Sequence, residues 1–216
     1  MSKPKRTLKS RLLLWGGALL GVCLGLYFLP LFRIVPLKEA REQSAAAEFD
    51  AVAFVEDFWN EKLLKGGPES IDANELLAAF NKDRTEAAER YGHRLGLSGN
   101  ASYYVSGNGD ITSIDKETIQ ITLKDGGLVA IDTGPLFGNA IRDGSGLLDV
   151  SDFPNSQDFN ALSSEINRRV EASIFPKLKE KAAVGVKVSF RGGVDIADSQ
   201  TEISPLNLVP VVVEFP

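Results

Sequence analysis

Arg142 and Asp143 are the adjacent charged side chains that could bind a ligand, because polar residues and glycines surround them. A guanidinium is a planar donor that can hold a carboxylate or sugar hydroxyls, and a carboxylate accepts from hydroxyls. Asn139, Gln157 and Asn160 could present amides to the same ligand. These five residues are the candidate ligand-binding site. The alternative, which we favour for Arg142 and Asp143, is an ion pair that only fixes the loop between two halves of the fold.

The sequence does not predict catalysis or a resident cofactor. His93 is the only histidine, and the single cysteine, Cys23, lies in an apolar run. The acidic residues are scattered, and no motif marks two of them as a general acid and base. A structural zinc site needs about four Cys or His ligands, which this chain cannot supply alone. We therefore expect a protein that is not an enzyme and carries neither a metal nor a cofactor.

The first 32 residues predict a membrane anchor. Five basic residues and no acidic ones occupy positions 1–11, and residues 12–32 carry no charge. A run of about 20 apolar residues is long enough to span a bilayer, whereas the apolar core of a cleaved signal peptide usually has about 7–15. The basic end should stay in the cytoplasm. This predicts a single-pass protein of the bacterial inner membrane, held through residues 12–32, with its C-terminal part in the periplasm.

Two other features of the sequence bear on lipidation and on nucleic-acid binding. Cys23 follows Leu20-Gly21-Val22, which departs from a lipobox because valine precedes the cysteine, so we expect no lipidation there. The segment after residue 32 holds all 29 acidic and 19 of the 24 basic residues, a net charge of −10. Such an acidic segment is a poor partner for nucleic acid.

Periodicity predicts three helical regions after a linker at residues 33–44. The first covers 45–64, with Phe49, Val52, Phe58, Trp59 and Leu63 on its apolar face. The second begins at a capping box formed by Asp72 and Glu75 and runs to Tyr91. The third begins near Asn155 and should break at Pro176.

Alternating residues predict antiparallel strands joined by glycine turns. Turns are expected at 107–109, 125–127 and 192–193, and strands at 102–106, 110–114, 118–124, 128–131, 184–191, 194–197, 202–204 and 208–215. Each group of strands follows a long helix. This predicts an α+β fold with two helix-plus-meander units, 45–133 and 134–216, that form tandem barrels and pack as one ectodomain.

The chain resembles a bacterial family of predicted periplasmic lipoproteins that share a domain of unknown function. The similar segments are RIVPL, FDAVAFVEDFWNEKLL, ELLAAF, YYVSGNG, GPLFGNAIRDG, DFPNSQDFNALSSEIN and VSFRGG. The family pattern maps onto Gly134, Pro135, Gly138, Arg142, Asp143, Phe153 and Asn167. An Asn-Gln pair of the family is interrupted here as Asn155-Ser156-Gln157, which weakens the case for a fixed amide site.

The resemblance implies OB-like barrels and a role beside sugar uptake, because such proteins are often encoded near sugar ABC transporters. Family members typically carry a lipobox cysteine before the basic-Ile-Val-Pro segment, and Phe32 stands at that position here. This implies that a transmembrane anchor replaces the lipid.

Three functions stay open on these grounds. The first is an accessory binding or scaffolding module for a carbohydrate ABC transporter, in contact with its permease or its solute-binding protein. The second is direct binding of a sugar or sugar acid near Arg142. The third is hydrolysis of an envelope glycan, which would need two carboxyl groups about 5–10 Å apart in a cleft.

Overall fold

A computed structural model describes residues 49–95 and 99–216. The helices are α1 (Ala51–Asp57), continued by a π-helical segment (Phe58–Gly66), then α2 (Ala73–Lys82), α3 (Arg84–Tyr91), α4 (Ala140–Gly144), a 3-10 turn (Val150–Asp152), α5 (Ser156–Ser173) and α6 (Phe175–Lys181). The strands are β1 (Ile71–Asp72), β2 (Asn100–Ile114), β3 (Thr118–Leu123), β4 (Leu128–Asp132), β5 (Lys187–Ala197) and β6 (Leu206–Glu214). The predicted α+β class is confirmed.

The strands form one sheet that closes on itself. Its order is β1-β2-β3-β4-β6-β5, and β2 also pairs with β5. Strand β2 can join both neighbours because it is 15 residues long: its first part pairs with β5 and its last part pairs with β3. Strands from both sides of residue 134 therefore share a single barrel. The prediction of two barrels in tandem is wrong for the described residues.

Two predicted glycine turns lie inside strands instead. Residues 107–109 are within β2, and Gly192 and Gly193 are within β5. A Cβ atom on Gly109 would lie 2.3 Å from the carbonyl oxygen of Thr122, and one on Gly192 would lie 2.1 Å from that of Val209. Glycine is needed at both positions because a neighbouring strand approaches too closely for any side chain.

The β3–β4 hairpin follows the prediction closely. Strand β3 buries Ile119, Ile121 and Leu123, while the residues between them are only partly buried. This alternation is the pattern of a strand with one face on a core. The connecting turn contains Gly126 at φ 84°, a left-handed conformation that glycine adopts readily. The strand predicted at residues 202–204 is absent, and that segment is an irregular connection to β6.

Two aspartate residues cap helices in the second helical region. Asp72 accepts from the backbone N–H of Asn74, as predicted, but Glu75 accepts from the Tyr91 hydroxyl instead of closing a capping box. The predicted single helix is two helices, because Asp83 ends α2 and caps α3 through the N–H groups of Thr85 and Glu86.

The first helical region is amphipathic, with one correction to its buried face. Phe58, Trp59 and Leu63 are buried, as predicted. Val52 is 54% exposed, and Val55 is buried on the helix instead. The Phe153 ring fixes the start of this region by contacting Phe49 and Phe54, with ring centroids 5.6 and 5.5 Å away.

Within the described residues, 49–95 and 99–216, no helix has the length and apolar composition needed to cross a bilayer. The predicted anchor at 12–32 and the linker at 33–44 lie outside those residues.

Replacing Gly192 by alanine should destabilise the protein by about 3 kcal/mol or more, because the new methyl group would overlap the β6 backbone. Gly126→Ala is the matched control, since a Cβ there meets no atom within 4 Å and only the positive φ opposes it. That strain costs about 1–2 kcal/mol. Urea unfolding of both variants measures the difference. Equal losses would contradict the placement of Gly192 inside the barrel wall.

Candidate functional site

Helix α4 carries the predicted pair and lies directly against the barrel wall. Gly193 and Gly144 permit this close approach from the two sides of the contact. A Cβ atom on Gly193 would lie 2.3 Å from the backbone carbonyl carbon of Ala140, and one on Gly144 would lie 2.7 Å from the carbonyl oxygen of Tyr103. The backbone of α4 therefore rests on β2 and β5 with no side chain between them.

Arg142 is buried and its guanidinium is held by protein groups. The residue is 4% exposed. Its Nε donates to Asp143 Oδ1 at 2.6 Å, and its Nη1 donates to the carbonyl oxygen of Phe159 at 2.9 Å and to Asn160 Oδ1 at 3.3 Å. The Cζ atom lies 3.8 Å from the centroid of the Phe159 ring, a cation–π contact. This arrangement favours the structural ion pair over a free ligand-binding guanidinium.

A second carboxylate, Asp195 on β5, ties the loop before α4 to the barrel. It accepts from Ser102 Oγ at 2.5 Å and from the backbone N–H of Asn139. Partial burial raises the pKa of the Asp195 carboxyl above its ordinary value, and the nearby Asp143 charge raises it further. The hydrogen bonds from Ser102 and Asn139 and the charge of Arg142 act in the opposite direction.

The five candidate residues are only partly brought together. Arg142, Asp143 and Asn160 form one hydrogen-bonded group, and Asn139 joins through its backbone to Asp195. Gln157 lies on the exposed side of α5, where the described part of the chain gives its side chain no hydrogen bond. The amides therefore do not converge on one ligand.

Two other predicted amides are structural. Asn155 caps α5 by accepting from the backbone N–H of Asp158 at 2.8 Å. Asn167 donates to the carbonyl oxygen of Gly138 at 3.1 Å and holds the loop before α4 against α5.

Sequence reasoning missed Ser102 and Asp195. They lie 93 positions apart and meet because β2 and β5 pair in the register Ser102↔Asp195. The local signal is weak, since each is one of several polar residues in its strand and nothing in the neighbouring sequence marks it. Across the two described segments, no group of three or more His, Cys, Asp or Glu side chains could hold a metal ion.

The comparisons with known proteins agree with this architecture. The model of the family described as predicted periplasmic lipoprotein (DUF2291) matches residues 22–214, and the chain belongs to that family. A search of curated proteins found no match.

The fold is also found in a solved structure. The chain is similar to the crystal structure of an OB-fold protein from Thermotoga maritima, with a TM-score of 0.68 and 22% sequence identity. The similarity covers 78% of this chain and 99% of that protein. It establishes the OB-like barrel, as the resemblance implied.

Arg142→Met should destabilise the protein by about 3–5 kcal/mol, because it leaves Asp143 without its partner in a mostly buried position. The matched control is Lys65→Met, which breaks an exposed ion pair with Glu61 and should cost about 0.5 kcal/mol or less. Chemical unfolding of both variants tests this. A loss below about 1 kcal/mol for Arg142→Met would show that the pair does not lock α4.

The raised pKa of Asp195 predicts a pH effect of defined sign. The folded state holds this proton more tightly than the unfolded state, so the contribution of Asp195 to stability is present below its ordinary pKa of 3.8 and is lost as pH rises through the folded value. Asp195→Asn should therefore become more stable relative to wild type as the pH rises from about 3.5 to about 7.

Asp149 provides the opposite control. Hydrogen bonds from the backbone and hydroxyl of Ser151 lower the pKa of its carboxyl. Its stabilisation is present above the ordinary pKa and is lost in acid. Asp149→Asn should therefore lose stability relative to wild type as pH rises. The same pH trend in both variants, measured by urea unfolding, would contradict the assignment for Asp195.

Proposed function

We propose that this protein is a non-catalytic accessory module of the periplasmic face of the inner membrane. It assists a carbohydrate ABC transporter by contacting the permease or the solute-binding protein. Support comes from membership of the periplasmic lipoprotein family, from the acidic segment after residue 32, and from the resemblance to proteins encoded beside sugar transporters.

The hydrogen bonds of the Arg142 guanidinium are the observation that favours this function over ligand binding at Arg142. Its donors already meet Asp143, Phe159 and Asn160. A sugar acid would have to displace these buried contacts before it could bind. A rigid module that presents its surface to a protein partner needs no such rearrangement.

The contacts of the carboxylates near α4 also argue against glycan hydrolysis. Near α4, Asp143 pairs with Arg142, and Asp195 accepts from Ser102 and from Asn139. A general acid must reach the glycosidic oxygen and a base must reach a water molecule. Both groups are instead used to hold the loop and helix in place.

Affinity purification tests the partnership. The tagged full-length chain, extracted in mild detergent from its native host, should co-purify with the carbohydrate permease or with its solute-binding protein. An unrelated single-pass periplasmic protein with the same tag serves as the control. Equal recovery of the transporter proteins with both baits would contradict the accessory function.

The proposed tether is residues 12–32 rather than a lipid on Cys23. Cys23→Ala should leave the protein in the membrane fraction after a carbonate wash, because an apolar helix alone provides the anchoring energy. Metabolic labelling with a radioactive fatty acid should mark neither form. Release of Cys23→Ala to the soluble fraction, together with labelling of the wild type, would instead identify a lipid anchor.

A further inference from the structure

A polar groove runs over the outer face of the barrel, away from α4. One cavity, of about 560 Å³, is lined by Arg191, Asp72, Ser70 and Ser106 among others. A neighbouring cavity, of about 820 Å³, includes Lys124, Lys187, Asp110 and Phe215. Asn108, Ser189 and Glu214 line both cavities, which makes them one continuous groove. Its size suits a small organic ligand.

The side chains of this groove share one face because of the strand pairing. Ser106 pairs with Arg191, Asn108 with Ser189, and Asp110 with Lys187 in the β2–β5 ladder. Residues two apart along a strand point to the same side. The three pairs therefore form a polar stripe across β2 and β5, and Glu214 of β6 lies beside Ser189.

Arg191 has no charged acceptor among the described residues. Its guanidinium forms no salt bridge there, and its Nε is buried without a hydrogen-bond partner. The Tyr104 hydroxyl interacts with the guanidinium. Arg191 lines the cavity, and its Nη1 lies beside Gly67. This contrasts with Arg142, whose Nε and Nη1 both donate to protein oxygens. A half-buried guanidinium with unused donors is costly unless something accepts from it.

Tyr104 adds a buried hydroxyl next to Arg191. The residue is 2% exposed, and the Arg191 guanidinium approaches its hydroxyl without the geometry of a good hydrogen bond. Burial raises the pKa of Tyr104 to about 12, and the charge and the side-chain contact of Arg191 act to lower it. Since Tyr104 keeps its proton at neutral pH, Arg191 has no anion beneath it.

The charges of the groove indicate the kind of ligand. Arg191, Lys124 and Lys187 provide three cations, and Asp72, Asp110 and Glu214 provide three anions. A strongly charged ligand would meet like charges wherever it lay. Hydroxyl groups can accept from the cations and donate to the carboxylates. Serine hydroxyls and the Asn108 amide can do both, and Ser106 already accepts from Ser70 at 3.0 Å.

We propose that this groove binds a neutral polyhydroxylated molecule, with the guanidinium of Arg191 as its anchor and Glu214 and Asn108 as further hydroxyl partners. This proposal does not rest on the proposed accessory function, so either can fail without the other. Phe215 gives the far end of the groove an apolar surface for the C–H groups of such a ligand.

Thermal unfolding of the full-length chain in detergent tests the site. The probes are glucose, galactose, ribose, xylose and myo-inositol, with glucuronate and inorganic phosphate as charged comparisons. At a hundredfold excess over Kd, a bound neutral probe should raise Tm by about 5–10 °C.

Arg191→Met, which keeps the aliphatic stem, and Glu214→Gln should each weaken that binding at least about tenfold, the loss of one charge-assisted hydrogen bond. Arg90→Met is the matched control, because Arg90 is exposed and stacks on Tyr91 away from the groove. It should bind as wild type. A groove site is overturned if no neutral probe stabilises the wild type, or if Arg191→Met binds as tightly as Arg90→Met. Stabilisation by phosphate or glucuronate alone overturns the neutral class.

Discussion

The burial of the Arg142 guanidinium is the constraint on which the junction of this fold depends. Removing a cation from water costs several kcal/mol, which only close hydrogen-bonding partners can offset. Here those partners are a carboxylate from the same helix, a backbone carbonyl and an amide from α5, and a ring face from α5. Helix α4 and the start of α5 must therefore keep one relative position.

That position also determines how the barrel is covered. Helix α4 can rest on β2 and β5 only because Gly193 and Gly144 lack side chains at the two contacts. Asp195 then holds the preceding loop through Ser102 and Asn139. The polar groups at this junction bind one another, so they organise the molecule. Arg191 also lies on β5, outside this junction, and its Nε has no hydrogen-bond partner among the described residues.

Local chemistry was sufficient to predict several elements. Asp72 and Asn155 act as helix caps, Pro176 separates α5 from α6, and the Asp125-Gly126-Gly127 turn joins β3 to β4. Each of these depends on residues within a few positions of one another. The ion-pair interpretation of Arg142 and Asp143 also agrees with the geometry.

What the sequence did not predict depends on distant contacts. A glycine that permits a neighbouring strand to approach has the same local sequence as a glycine in a turn, so the sequence pattern places Gly109 and Gly192 in hairpins. That placement divides two long strands and predicts two barrels where the fold has one. The contact between Ser102 and Asp195 and the groove at Arg191 likewise form only once β2 and β5 have paired.

Hydrogen–deuterium exchange on wild type and Arg142→Met tests most directly whether this residue fastens α4 to the barrel. Residues 134–145 and the start of α5 should lose more protection than the amides of β3 and β4, which lose only what the global destabilisation removes. Unchanged protection in 134–145, or a loss there no larger than in β3 and β4, would contradict the account.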